Sequence, residues 1–333
     1  MYVGRTFPVA MLWHFGWRNA LRMALLSGAV YAGFEWLGLK WLSIPFLPVS
    51  TVGSAVAFYV GFKNNAAYER LWEARRVWGG IVNSSRSLAM SVVSLVGHRG
   101  KAAGHAEALR RALIYRQIAW AQALRFQLRQ PSTLNASHTA LLHITASHKR
   151  QPSTTAGDNL AAILAELVPG VDDRPQGGSL TTRLLAEQTK QLAELKRDGS
   201  LDEYEHSDLM KQVMECVHHQ GAAERIKSYP LPRQYANFSA LFVNLFLILL
   251  PFGMVREVAA VGAAWMVVPF TVLIGWVFQS MEQVGESSEN PFENAINDIP
   301  MTTMCRNLEI ELKDLLGETK LPERLQPSGD VLM

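Results

Sequence analysis

Cysteine, charge and phosphate-binding glycine patterns are scarce in this sequence. Two cysteines, Cys216 and Cys305, stand in 333 residues. They make no disulfide framework, and neither sits in metal-ligand spacing; both read as free structural thiols of a reducing compartment. The ECVHHQ stretch gathers Cys216, His218 and His219, but adjacent histidines point about 100° apart on a helix and do not share one zinc ion. Charged residues make up 18% of the chain, against about 25% in an average soluble domain. The formal net charge is only +3, which argues against nucleic acid as a partner. There is no Rossmann glycine pattern, no phosphate loop and no internal repeat. A cleavable leader is not expected either, because Arg5, His14 and Arg18 interrupt the first twenty residues.

What the chain has is apolar length. Hydrophobic residues are 49% of it, and four runs reach the roughly 20 residues that a membrane helix needs. They are Met23–Leu42, Ile44–Phe62, Tyr235–Met254 and Val258–Ser280. Trp36, Trp41 and Trp276 stand near run ends, as in an interfacial aromatic belt. Arg18 and Arg22 precede the first run, Lys63, Arg70, Arg75 and Arg76 follow the second, and Arg225, Lys227 and Arg233 precede the third. The opposite loops offer only Lys40 and Arg256. The positive-inside rule then places both termini and the middle of the chain in the cytosol, with the spans in the cell (inner) membrane.

The expected organisation is therefore an all-α integral membrane protein. Residues 1–62 hold an N-terminal segment and two spans; 63–233 form a helical cytosolic domain; 234–280 hold two further spans; 281–333 form a cytosolic C-terminal segment. Within 63–233 the apolar spacing predicts helices from residue 63 onward, then over 103–128, 157–167, 179–197 and 202–227, with loops at 130–156 and 170–178.

The second run contains no charge. Ser50, Ser54, Phe58 and Phe62 recur every four residues and stack along one helical stripe, with Gly53, Ala57 and Gly61 beside it. Two readings stand. Small residues allow close helix–helix approach; alternatively, small polar groups followed by aromatic rings form a pore wall. Glu35 is an ionisable residue in the first run, a functional candidate by default, yet it lies close enough to the run's end to reach water. The spans hold no paired histidine and carboxylate, so no intramembrane catalytic constellation is present and no enzyme is expected.

The stretch GFKNNAAYERLWEARRVWG (61–79) with IVNSSRSLA (81–89), the segment AAERIKSYPLP (222–232) before the third run, and SENPFENAINDIP (288–300) after the fourth together resemble the bestrophin family in its bacterial form. The resemblance implies a homopentameric ion channel around one axial pore, with lipid and permeating small ions as its other partners. Chloride or another small anion is the family's first activity, with a monovalent cation such as sodium the alternative. It places a narrow neck at Phe62, Phe58 and Ser54; Ser54 departs from the bulky aliphatic residue usual there, which implies a shorter or wetter neck. It puts a second, cytosolic constriction at the start of the 202–227 helix, with Glu205 as the placement. The junction residues Trp72 and Trp78 are expected to be buried in the contacts between subunits, Glu73 and Arg76 to pair at i, i+3, and Asn64 and Asn65 to cap or bridge helices, or simply to mark a polar boundary. Asn290, Pro291 and Phe292 form the C-terminal motif. Eukaryotic members bind calcium just beyond it. Here Glu293 and Asp298 are separated by uncharged residues, too few carboxylates for an ion that takes six to eight oxygens. Neither calcium nor another cofactor is expected. Glu286, Glu289, Glu293 and Asp298 are instead expected to cap helices and meet Arg and Lys. A membrane-anchored scaffold or sensor is the rival from another class.

Overall fold

The computed structural model describes residues 1–4, 9–98, 105–130, 159–171, 178–295, 297–327 and 331–332. Helices account for nearly all of it: α1 (Val9–Glu35), α2 (Phe46–Leu95), α3 (Ala106–Arg129), α4 (Leu160–Leu167), α5 (Leu180–Arg197), α6 (Glu203–Ser228), α7 (Arg233–Ala260), α8 (Val267–Ser288) and α9 (Met301–Leu315). The expected helices of the middle segment are present with ends shifted by a few residues. The expected loop at 130–156 lies almost wholly outside the described residues, as does most of that at 170–178.

The organising element is α2. It runs unbroken for 50 residues, about 75 Å, through the switch from uncharged to charged sequence at Lys63. Pro45 and Pro48 sit at its start, where a missing N–H costs nothing. Its buried stripe passes Val49, Gly53, Val56, Val60, Lys63, Ala67, Ala74, Trp78 and Ile81. The upper part of that stripe shares an apolar cluster with Val243, Phe246, Leu247 and Leu250 of α7. The lower part joins a larger core built with α3, α4, α5, α6 and α9. One rigid rod thus belongs to both cores.

Among the described residues three segments are long and apolar enough to cross a membrane: Lys40–Leu95, Gln234–Ala260 and Ala264–Ser288. Helix α1 packs along α8, Gly275 of α8 facing Met23 so closely that a Cβ would stand 2.7 Å from its Cγ. Two run boundaries need correction. The first helix spans Val9–Glu35 rather than Met23–Leu42. Gly38 adopts φ +66°, the Leu39 N–H bonds back to the Gly33 carbonyl at 3.0 Å, and a short 3-10 turn at Lys40–Leu42 follows. This is a glycine-stopped helix end, hidden because its residues are as apolar as the helix. Likewise Val258–Ala260 belong to α7, Gly262 turns the chain at φ +74°, and α8 starts only at Val267.

Candidate conduction site

The face of α2 opposite its buried stripe is open. Phe58 is 72% and Phe62 71% exposed, and Ser54 is exposed one turn earlier. The three stack along the helix as the four-residue spacing requires. Ser54 donates its hydroxyl to the Ser50 carbonyl at 3.0 Å and Ser50 donates to Leu47 at 2.9 Å, so these hydroxyl protons are satisfied inside the helix. The small-residue stripe divides between the two readings. Gly53 is pressed against Phe246 of α7, where a Cβ would stand 2.5 Å from the ring, whereas Gly61 has open space around it. Close packing explains Gly53, and leaves the aromatic stripe largely uncovered among the described residues.

Just below Phe62 the helix is pinned. Lys63 is buried and forms an ion pair with Glu282 of α8, and Ser239 of α7 donates to the other Glu282 oxygen at 2.5 Å. Asn64 donates to the Met281 carbonyl at 2.9 Å; its side-chain oxygen lies over Gly285, where a Cβ would collide with it. Asn64 is thus a bridge between helices, while Asn65 bonds within its own helix, donating to Glu69 at 2.8 Å. Arg70 reaches across to the end of α6, donating to the Tyr229 carbonyl at 2.6 Å and to the Ile226 carbonyl, and to the Glu289 carbonyl at 2.8 Å. A guanidinium on the last carbonyls of a helix satisfies groups the helix leaves unpaired and meets its negative end. Burial lowers the Arg70 pKa from its ordinary value, with Glu289 and Glu73 acting against that.

Trp78 is buried within the chain, at 1% exposure, whereas Trp72 is 49% exposed there, because it lies about 240° round the helix from Trp78. One expectation at the junction is overturned. Glu73 pairs not with Arg76 but with Arg225 of α6, at 2.9 Å: a partner on the adjoining helix wins over one on the same surface.

The start of α6 is fixed by its own side chains. Asp202 accepts from the Glu205 N–H at 2.8 Å while Glu205 accepts from the Asp202 N–H at 2.9 Å, a capping box. The Glu205 carboxylate is therefore folded onto its own helix start. Beside it Tyr204 is 87% exposed. Further along α6, the imidazole of His219 lies where a Cβ on Gly80 would collide, so glycine lets α6 approach α2 there.

After α8 the chain folds into a compact turn. Phe292 is fully buried in the large core beside Ile299 and Met301, and Pro291 is buried with it. Asn290 is half-buried at the exit of α8. Asn294 takes the left-handed conformation at φ 70°, one that asparagine tolerates better than most residues. Asp298 accepts from the Ala295 N–H at 2.9 Å. Burial pushes its pKa up to about 7, with Glu293 nearby adding to the rise. Of the acidic flank, Glu293 pairs with Lys227 at 3.2 Å, and Glu289 meets Arg70 through its carbonyl. The motif is thus a plug that ties the end of α8 to α6.

Sequence reasoning missed the Lys63–Glu282 pair. The available signal was a lysine directly after a charge-free run and a glutamate directly after another.

Residues 17–314 match the family model described as Bacterial/Fungal Bestrophin protein. The chain is 30% identical over 281 residues to the voltage-dependent anion channel-forming protein YneE of Escherichia coli, covering 84% of this chain and 80% of that one. It is 29% identical over 287 residues to a voltage-dependent anion channel-forming protein of Ralstonia nicotianae, covering 86% and 82%. Among solved structures, a variant of a bacterial bestrophin homologue from Klebsiella pneumoniae superposes with a TM-score of 0.73 at 25% identity, covering 91% of this chain and 99% of that one.

Proposed function

Because the chain belongs to the bacterial and fungal bestrophin family, we propose that five copies surround one axis and form a membrane channel for small monovalent ions. The observation that carries this reading is the open aromatic stripe of α2. Phe58 and Phe62 are large apolar side chains left uncovered on a helix that packs through a buried stripe on its other side. Turned towards a shared axis, the rings narrow the path into a hydrophobic neck that can close by dewetting, with Ser54 widening its outer end. Four helices of each subunit, α1, the first part of α2, α7 and α8, cross the inner membrane. Both termini and the α3–α6 domain face the cytosol. The half-exposed Trp72 is then covered by the neighbouring subunit.

The second constriction, if it stands at the start of α6, is formed by Tyr204 rather than by Glu205, whose carboxylate is engaged in capping. No calcium requirement is proposed: the turn after Phe292 uses Glu293 on Lys227 and Asp298 on backbone. The relatives from Escherichia coli and Ralstonia nicotianae are named as anion channel-forming proteins. The scaffold reading predicts the same spans without a current.

Purified protein tests the reading in two measurements. Native mass should give five chains, and planar bilayers containing the protein should carry a current. A monomeric or dimeric particle with silent bilayers would favour the scaffold.

A further inference from the structure

The exposed stripe of α2 does not stop at the membrane junction. Glu69 lies seven residues beyond Phe62, which on a helix is two turns less about 20°, so the two face nearly the same way. It stands about 10 Å further along the axis. Both Asn65 and Glu69 are exposed, and the Asn65 amide donates to Oε1 of Glu69 at 2.8 Å. Asn65 sits between Glu69 and the neck, so this bond draws the carboxylate back towards the Phe62 ring.

Lys63, Arg70 and Glu73 near that level are occupied, while Arg75 and Arg76 further along α2 are exposed. Lys63 is buried against Glu282. Arg70 points to the packed side, onto the carbonyls of Ile226, Tyr229 and Glu289. Glu73, the next carboxylate of the stripe, is matched by Arg225. Arg76 shares the stripe about 10 Å beyond Glu69. Among the described residues no cationic side chain pairs with Glu69; its recorded partner is the neutral amide of Asn65.

From this placement we infer that Glu69, held by Asn65, selects the sign of the permeating ion. This rests on the pore reading of α2. Five copies bring five carboxylates to the inner mouth of the neck, where low-dielectric walls focus their field and raise the local concentration of counter-ions. Such a ring draws in small cations and repels anions. Selectivity then follows from the charge at residue 69, not from the rings of the neck, which carry no net charge.

The test is the reversal potential of wild type, Glu69→Gln, Glu69→Lys and Asn65→Ala in planar bilayers under asymmetric sodium chloride. Wild type should reverse towards the sodium equilibrium potential, Glu69→Gln nearer zero, Glu69→Lys on the chloride side, and Asn65→Ala between wild type and Glu69→Gln. Reversal potentials unchanged in both Glu69 variants, or a wild type that reverses at the chloride potential, would overturn the inference and leave the pore itself standing. Current absent from all four proteins would remove the pore reading and the inference together. A second measurement does not depend on the sign of wild type. The native Cys216 and Cys305 are buried, so a water-soluble thiol reagent addresses an introduced Glu69→Cys alone. A negatively charged reagent should restore cation preference and a positively charged one should abolish it; a thiol that never reacts would place residue 69 outside the ion path.

Discussion

Lys63 and Glu282 form a buried ion pair at the level where the apolar half of α2 gives way to its charged half, with Ser239 completing the site from α7. Their side chains are only 2% and 12% exposed. Breaking such a pair from one side leaves a charge without compensation, at a cost of about 3–5 kcal/mol, whereas replacing both partners by apolar groups is often neutral. Lys63→Met and Glu282→Met should each lower the unfolding temperature in detergent strongly, and the double variant should recover most of the loss. Additive losses in the double variant would show that the two groups act separately.

A few residues away, Gly285 gives the Asn64 side chain room to reach the Met281 carbonyl. Gly285→Ala should destabilise the helix pair by about 1–3 kcal/mol, the usual range for overpacking. Adding Asn64→Ala should relieve the clash, so the two changes together cost less than their sum. Thermal melts of the two single variants and the double variant measure that coupling.

Asp298 gives the fold a pH dependence of definite sign. Its carboxyl is held neutral up to about pH 7 in the fold, against an ordinary value of 3.8. Between those values the folded chain binds a proton that the unfolded chain has lost. Stability should therefore be full below about pH 4, decline as the pH climbs towards 7, and level off above, a change on the order of 4 kcal/mol. Denaturant midpoints across that range should fall for wild type and stay flatter for Asp298→Asn, which can still accept from the Ala295 N–H.

At the start of α6 two neighbouring residues should separate cleanly. Glu205→Ala removes one half of a capping box and should cost about 1 kcal/mol without changing ion selectivity. Tyr204→Ala removes no side-chain hydrogen bond among the described residues and should alter conductance with little effect on stability. Paired melts and single-channel records decide it.

Much of this architecture was legible from local periodicity. The stacking of Ser54, Phe58 and Phe62 follows from a period of about 3.6 residues, and the run of charges after Phe62 marks the depth at which the fold changes solvent. Trp78 could be placed in the core for the same reason. Trp72, six residues away, lies on another face of α2 and is half exposed within the chain. Pairings across the chain were out of reach. Lys63 and Glu282 are 219 positions apart, and Glu73 chose Arg225 over Arg76 because α6 happens to lie alongside. Glu205 stands at a helix start, where an acidic residue satisfies backbone N–H groups, and the Asp202 three positions earlier signalled that capping box. The ends of α1 and α7 were misjudged where Gly38 and Gly262 stop helices inside apolar sequence.

The claim that everything else depends on is that the Phe58–Phe62 face of α2 borders the moving ions. Single-channel conductance of Phe58→Ala with Phe62→Ala, compared with wild type in the same bilayer, addresses it directly. Removing two rings from the narrowest part of the path should raise the conductance or weaken gating. A double variant that assembles normally and conducts like wild type would mean that this face meets something other than the pore.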